Sequence, residues 1–165
     1  VKLKERKVSF FTSNNLKQWH HLSDFGSVGA VDGDWECPDL FPLVVEESQQ
    51  EKWVMIVSTG AGDAMGSATQ YFVGDFDGRT FIRSANPERI DWLDFGHDNY
   101  AGVTYSDAQN ISRRTIFQGW MSNWDYAITT PTESWRSAMT LPRELSLIKE
   151  HDHYYLKSSV IDKSI

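Results

Sequence analysis

Residues 71–81 read YFVGDFDGRTF, which is an apolar run, a polar turn and a return to an aromatic side chain. Gly78 suits this turn because glycine adopts the positive φ that tight turns between paired strands require. Residues 10–19, FFTSNNLKQW, have the same layout, and similar tails follow at 22–26, LSDFG, and 92–96, WLDFG. An internal echo of this kind favours repeated antiparallel sheets, as in the blades of a β-propeller.

Strand-like runs recur along the chain, and helical periodicity is almost absent. Runs rich in β-branched and aromatic residues predict strands near 8–12, 40–46, 52–59, 68–74, 79–83, 100–105, 113–119, 143–149 and 153–160. This rhythm is typical of an all-β sandwich, barrel or propeller. Because a propeller blade takes roughly 40–50 residues, the chain would hold about two to four blades. So few strands cannot close a ring, and we expect apolar blade faces to be exposed at both ends.

Composition excludes several classes of partner. The 165 residues carry a formal net charge of −7, whereas nucleic acids and anionic membranes are bound by basic surfaces. No apolar run is long enough to cross a bilayer. The single cysteine, Cys37, cannot form a disulfide within the chain. We therefore expect no nucleic-acid partner and no membrane partner.

The strongest candidate for chemistry is a glutamate in residues 35–40, WECPDL. Glu36 lies between an aromatic ring, a thiol and a proline, and such partly desolvated surroundings allow a carboxyl group to hold a proton and donate it near neutral pH. Glycoside hydrolysis uses two carboxyl groups. Asp34 would share the face of Glu36 but lies at the start of the strand, and strand alternation places Asp39 on the opposite face. The sequence near Glu36 therefore offers no good partner carboxylate.

Several long stretches, in one order, resemble glycoside hydrolase family 32, the fructan-cleaving enzymes. They are WECPDLFPL at 35–43, the turn at 71–81, DFGHDNYA at 94–101, GWMSNWDYA at 119–127 and PTESWRSAMTLPREL at 131–145. The last two resemble the levanase and exo-inulinase branch. They argue against a related propeller that acts on another furanoside, such as arabinan.

The resemblance implies a five-bladed β-propeller followed by a β-sandwich, and retaining hydrolysis of β-fructofuranosyl linkages in levan, inulin or sucrose. Glu36 would protonate the leaving-group oxygen and then deprotonate the attacking water. Asp94 matches an aspartate that helps to bind the terminal sugar, and Trp120 matches a tryptophan at the fructosyl pocket. Asp98 lies beside that pocket motif and is a further candidate for substrate binding.

Two family motifs do not occur in the sequence: the Asn-Asp-Pro-Asn-like motif with the nucleophile, and the Arg-Asp-Pro motif that grips fructose. We therefore expect residues 1–165 to be a partial propeller domain with central blades and without the β-sandwich, and to be inactive alone. The resemblance implies an extracellular location. The alternative is a fructan-binding protein that keeps the aromatic pocket without the chemistry.

Three other patterns carry less weight. The glycines of residues 60–66 have the wrong spacing for a dinucleotide loop and precede a strand where a helix is needed. The histidines at 97, 151 and 153 lack a third metal ligand nearby in the sequence and are expected to be exposed at strand ends. Asn110-Ile111-Ser112 is a glycosylation sequon. The sequence predicts neither a cofactor nor a metal site.

Overall fold

The computed structural model describes residues 1–60, 66–84, 88–106 and 114–161. Within them, strands follow a short 3₁₀ helix at Leu3–Glu5. The strands are β1 (Lys7–Thr12), β2 (His20–Gly26), β3 (Trp35–Val44), β4 (Glu51–Thr59), β5 (Ala68–Phe76), β6 (Phe81–Arg83), β7 (Tyr100–Thr104), β8 (Thr115–Met121), β9 (Ala138–Met139), β10 (Arg143–Glu150) and β11 (His153–Val160). No helix in the described part of the chain has the length and apolar character needed to span a bilayer.

The strands form three antiparallel sheets. The first sheet pairs β1 with β2, the central sheet has the order β3-β4-β5-β6, and the third sheet has the order β11-β10-β8-β7 with β9 beside β8. After β6 the chain returns to the edge of β5, where Tyr71 N donates to Asp91 O and Leu93 N donates to Thr69 O, both at 2.8 Å. The outer edge of the central sheet is therefore formed by two segments, β6 and residues 91–93. From the second segment the chain crosses to β7.

The central sheet is covered on both faces, which explains why β4 and β5 are almost continuously buried. One face packs on the first sheet through Val8, Phe25, Trp35, Met55, Val57, Phe72 and Phe81. The other face packs on the third sheet through Phe41, Leu43, Val45, Val54, Ile56, Tyr71, Val73, Leu93, Phe117, Leu145, Leu147 and Tyr154. Face-to-face stacking of successive four-stranded sheets is the packing of propeller blades.

A buried ionic cluster joins the outer rims of the central and third sheets. The Asp91 carboxylate accepts from Arg89 Nε at 2.8 Å and lies 3.5 Å from Arg83 Nη2. Its Oδ1 is also 3.1 Å from His153 Nε2 on β11. The expectation that His153 is an exposed strand-end side chain is therefore wrong, since the ring is largely buried against Asp91.

Apolar side chains are exposed on both terminal sheets, as expected for an unclosed ring. In the first sheet Phe11 is 50% exposed, and in the third sheet Val103 is 51% exposed. Most predicted strands are present, but β2 and β9 were not predicted, and β3 begins at Trp35 rather than near residue 40. The sequence of β2, HHLSDFG, has few apolar residues. No apolar pattern therefore indicates that this stretch is a strand paired with β1. The sequon and most of the glycine-rich loop lie outside the described residues.

Candidate active site

Glu36 lies where two sheets meet. It is the second residue of β3, the edge strand of the central sheet. Its Oε2 accepts a hydrogen bond from the hydroxyl of Tyr100, the first residue of β7, which is the edge strand of the third sheet. The Glu36 side chain is half-buried, so the carboxylate is held by a neighbouring blade and still reaches solvent.

A β-bulge follows Glu36. Glu36 pairs with Ser58 and Asp39 with Ile56, so three steps along β3 match two steps along β4. Cys37 has a φ of 45°, and Pro38 has no N–H to donate, so both fit an interruption of the ladder. The extra residue puts Asp39 on the same face as Glu36. The prediction that Asp39 points to the opposite face is wrong because it assumed unbroken alternation.

The Asp39 carboxylate connects β3 to β7 through hydrogen bonds. Its Oδ2 accepts from the backbone N of Thr104 at 2.7 Å and from the Thr104 hydroxyl at 2.8 Å. Its Oδ1 accepts from Leu40 N at 2.9 Å. These bonds occupy the carboxylate in joining two strands, so sharing a face with Glu36 does not make Asp39 a second reacting carboxylate.

Tyr100 is a candidate site residue that sequence reasoning missed. It is buried, and burial, followed by the hydrogen bond to Glu36 and then the charge of that carboxylate, raises the pKa of its phenol well above the usual value. The phenol therefore stays protonated at neutral pH and can donate to the carboxylate. The signal was available in the stretch DNYA, but a tyrosine at a strand start has no pattern that distinguishes it from core.

An aromatic row extends from Tyr100 towards solvent. The Trp120 ring lies beside it, with centroids 6.3 Å apart, and the Trp124 ring lies 4.9 Å beyond Trp120. Trp120 is half-buried, and Trp124 is 53% exposed. Flat indole faces next to a carboxylic acid suit the apolar C–H faces of a sugar ring. The structure thus places the Tyr100 side chain in contact with both Glu36 and Trp120.

Cys37 contributes an exposed, uncharged group next to Glu36. Partial desolvation, followed by the charge of Glu36, raises the pKa of this thiol above its ordinary value. The thiolate is thus disfavoured at neutral pH, and the side chain adds no second negative charge beside the carboxylate.

Asp94 and Asp98 lie in a separate cleft of about 420 Å³. The Asp94 carboxylate accepts from Gly96 N at 2.8 Å and from Asn99 Nδ2 at 2.9 Å. The lining of the cleft also includes His97, Met121, Thr140, Leu141 and Arg143. Asn99 and Met121 adjoin Tyr100 and Trp120 in sequence, and Tyr100 pairs with Trp120, so the cleft and the Glu36 cluster lie at the same end of β7 and β8. No contact between Asp94 or Asp98 and Glu36 is present among the described residues.

Comparison with known proteins gives a consistent result. The sequence profile of the glycosyl hydrolases family 32 N-terminal domain matches residues 1–158. A levanase from Bacillus subtilis is 50% identical over 144 residues, which is 86% of this chain and 21% of that protein. An extracellular exo-inulinase from Aspergillus niger is 41% identical over 149 residues, with 86% and 27% covered.

A solved structure extends the comparison to the fold. The β-fructofuranosidase from Schwanniomyces occidentalis, complexed with fructosyl-erythritol, matches with a TM-score of 0.84 at 35% identity. The match covers 98% of this chain and 32% of that one, so the chain spans a third or less of each of these relatives. The predicted fold class, an all-β part of a β-propeller, is confirmed.

Proposed function

The chain belongs to glycoside hydrolase family 32, and we propose that it forms part of an enzyme that cleaves β-fructofuranosyl linkages in levan, inulin or sucrose. The named activities of the levanase and exo-inulinase relatives support this proposal, as does the fructosyl ligand in the matching β-fructofuranosidase structure. The observation that carries it is the Glu36 carboxylate, held by Tyr100 and one ring away from the half-buried Trp120.

In the proposed reaction Glu36 is the general acid and then the general base. It protonates the oxygen of the departing sugar while a second carboxylate attacks the anomeric carbon, and it later removes a proton from the water that releases fructose. Retention requires the two carboxyl groups to lie about 5–5.5 Å apart. Since Asp39 is bound to Thr104, we assign the nucleophile to a segment outside residues 1–165, where the family carries its Asn-Asp-Pro motif.

Substrate binding would use both parts of the site. We propose that Trp120 stacks on the fructosyl unit next to Glu36, and that Asp94 and Asp98 accept hydrogen bonds from sugar hydroxyls in the adjoining cleft. Residues 1–165 would be part of the family's N-terminal propeller domain, with the β-sandwich elsewhere in the protein. An extracellular location is proposed because the exo-inulinase relatives are named as extracellular.

The test compares two carboxylates on one face of β3 in the longer protein. Glu36→Gln should lower kcat for fructose release by about 10²–10⁴-fold, because the general acid and base is lost. Asp39→Asn is the comparison variant, and its kcat should fall less than that of Glu36→Gln, because Asp39 binds Thr104 and supplies no proton to the reaction. Fructose is measured after incubation with levan, inulin and sucrose, and circular dichroism checks that both variants are folded.

Two outcomes would overturn the proposal. Undiminished fructose release by a folded Glu36→Gln variant would remove Glu36 from the reaction. A wild-type longer protein that binds fructan without releasing fructose would instead be a binding protein. The isolated 165-residue chain should show no turnover, because one carboxylate alone cannot form and hydrolyse a covalent intermediate.

A further inference from the structure

Asn123 is a fully buried amide at the end of the sheets where Glu36 lies. Its Oδ1 accepts from Ser67 N at 3.2 Å and from Asp125 N at 3.1 Å. Its Nδ2 donates to Ser67 O at 3.2 Å and to His97 O at 2.9 Å. Both ends of the amide are therefore used, and three separate stretches of backbone meet on one side chain.

These bonds join three connections between strands. Ser67 ends the connection from β4 to β5, His97 lies in the crossing from β6 to β7, and Asn123 begins the loop after β8. A further bond runs from Trp124 N to the Ser67 hydroxyl at 3.1 Å. Asn123 and Trp124, near the start of the loop after β8, thus hold this loop to the other two connections.

The position of Asn123 links the two parts of the candidate site. Trp124 packs against Trp120 and belongs to the aromatic row, whereas His97 lines the cleft that holds Asp94. The contact between Glu36 and Tyr100 lies on β3 and β7 and does not involve the amide. Asn123 therefore connects the loop that carries Trp124 to the segment that lines the Asp94 cleft, without contacting Glu36.

We propose that Asn123 is a positioning residue that sets substrate affinity by fixing the aromatic row relative to the Asp94 cleft. This inference rests on the proposed function, since it assumes that one sugar contacts both parts. The amide is specific for this place because it supplies donors and acceptors together. An aspartate of the same shape would keep the acceptor bonds and turn its second oxygen towards two backbone carbonyls.

Local packing leaves little room for another arrangement. Gly66 precedes Ser67 with a φ of 69°, and a side chain there would overlap the side chains of Asn123 and Asp125. The backbone of this connection thus approaches the amide as closely as glycine permits. A change at Asn123 cannot be absorbed by a small shift of the Ser67 stretch, and we expect it to displace the loop instead.

The test is Asn123→Asp in the longer enzyme, with kcat, KM and the pH profile measured on sucrose. KM should rise by about tenfold or more, because two hydrogen bonds are lost and carbonyl oxygens face a carboxylate. The kcat should change by less than about threefold and the pH profile of kcat should keep its shape, since Glu36 and Tyr100 are untouched. The matched control is Thr129→Ala in the same loop, whose hydroxyl donates locally to Tyr126 O, and its KM should not change.

An unchanged KM in folded Asn123→Asp would overturn the inference, and so would a parallel loss of kcat with an altered pH profile. If Asn123→Asp does not fold, Ser67→Ala removes only the bond to Trp124 N and should raise KM by about threefold. A wild-type protein without fructose release contradicts the proposed function instead. In that case the dissociation constant for levan is measured by tryptophan fluorescence. The inference then predicts the same fold-changes in this constant as in KM.

Discussion

The two halves of β3 differ in their contacts: one half carries the candidate acid Glu36, and the other half packs in the core. From Trp35 to Asp39 the ladder is broken by a bulge, and the carboxylates of Glu36 and Asp39 meet β7 through hydrogen bonds. From Leu40 to Val44 the pairing with β4 is regular, and Phe41 and Leu43 are buried against the third sheet. The same face of the strand thus changes from polar contacts to an apolar core within a few residues.

This difference shows how the candidate acid is placed on a core strand. A regular strand would carry Glu36 and Asp39 on opposite faces and leave one of them against the other neighbouring sheet. The bulge brings both to the junction with β7, where Asp39 fastens the strands and Glu36 remains available. The apolar half supplies the rigidity on which that placement depends. The predictions below separate the two halves, from the largest expected effect to the smallest.

Phe41→Ala tests the apolar half and should have the largest effect. Removing a fully buried phenylalanine between two sheets should lower the free energy of unfolding by about 3–5 kcal/mol, seen as a reduced urea midpoint. Val44→Ala, at an exposed position near the end of the same strand, is the control and should change stability little. If the midpoint were unchanged in Phe41→Ala, the apolar half would not hold the sheets together.

Tyr100→Phe tests the polar half. It removes only the hydroxyl that donates to Glu36, so we expect kcat to fall by about tenfold and stability by about 1 kcal/mol. Tyr105→Phe is the control, because the hydroxyl of the exposed Tyr105 donates to Gln118 and not to the candidate acid. Equal kcat values for the two variants would show that the Tyr100 hydroxyl does not position the carboxylate.

Alkylation of Cys37 reports the local charge and should show the smallest effect. The pKa of the thiol is raised by desolvation and then by Glu36, so iodoacetamide should react slowly at pH 8 because little thiolate is present. Glu36→Gln removes the negative charge, lowers the thiol pKa and should modestly speed the reaction. Asp39→Asn should leave the rate near that of the wild type. A slower reaction in Glu36→Gln would contradict the assigned cause of the shift.

The pattern of apolar and β-branched residues in the sequence predicted most of the strands but few of the contacts between them. The runs of β4 and β5 were visible because strands buried on both faces contain almost only apolar and β-branched residues. β2 was missed because its short polar sequence joins the sheet through backbone hydrogen bonds, which any residue can make. Glu36 was chosen as the candidate acid from its local sequence and from the family resemblance. Tyr100 and Asn123 were not identified, since their partners lie 64 residues away on β3 and 56 residues away at Ser67.

The sequence by itself determined the all-β class, the family resemblance and the choice of Glu36, because each depends on residues that are adjacent or periodic along the chain. Only the tertiary structure decided which face Asp39 occupies, which hydroxyl holds Glu36 and which amide ties the loops together. These depend on a bulge and on contacts between different sheets, and a one-residue shift in register reverses the face of every following side chain.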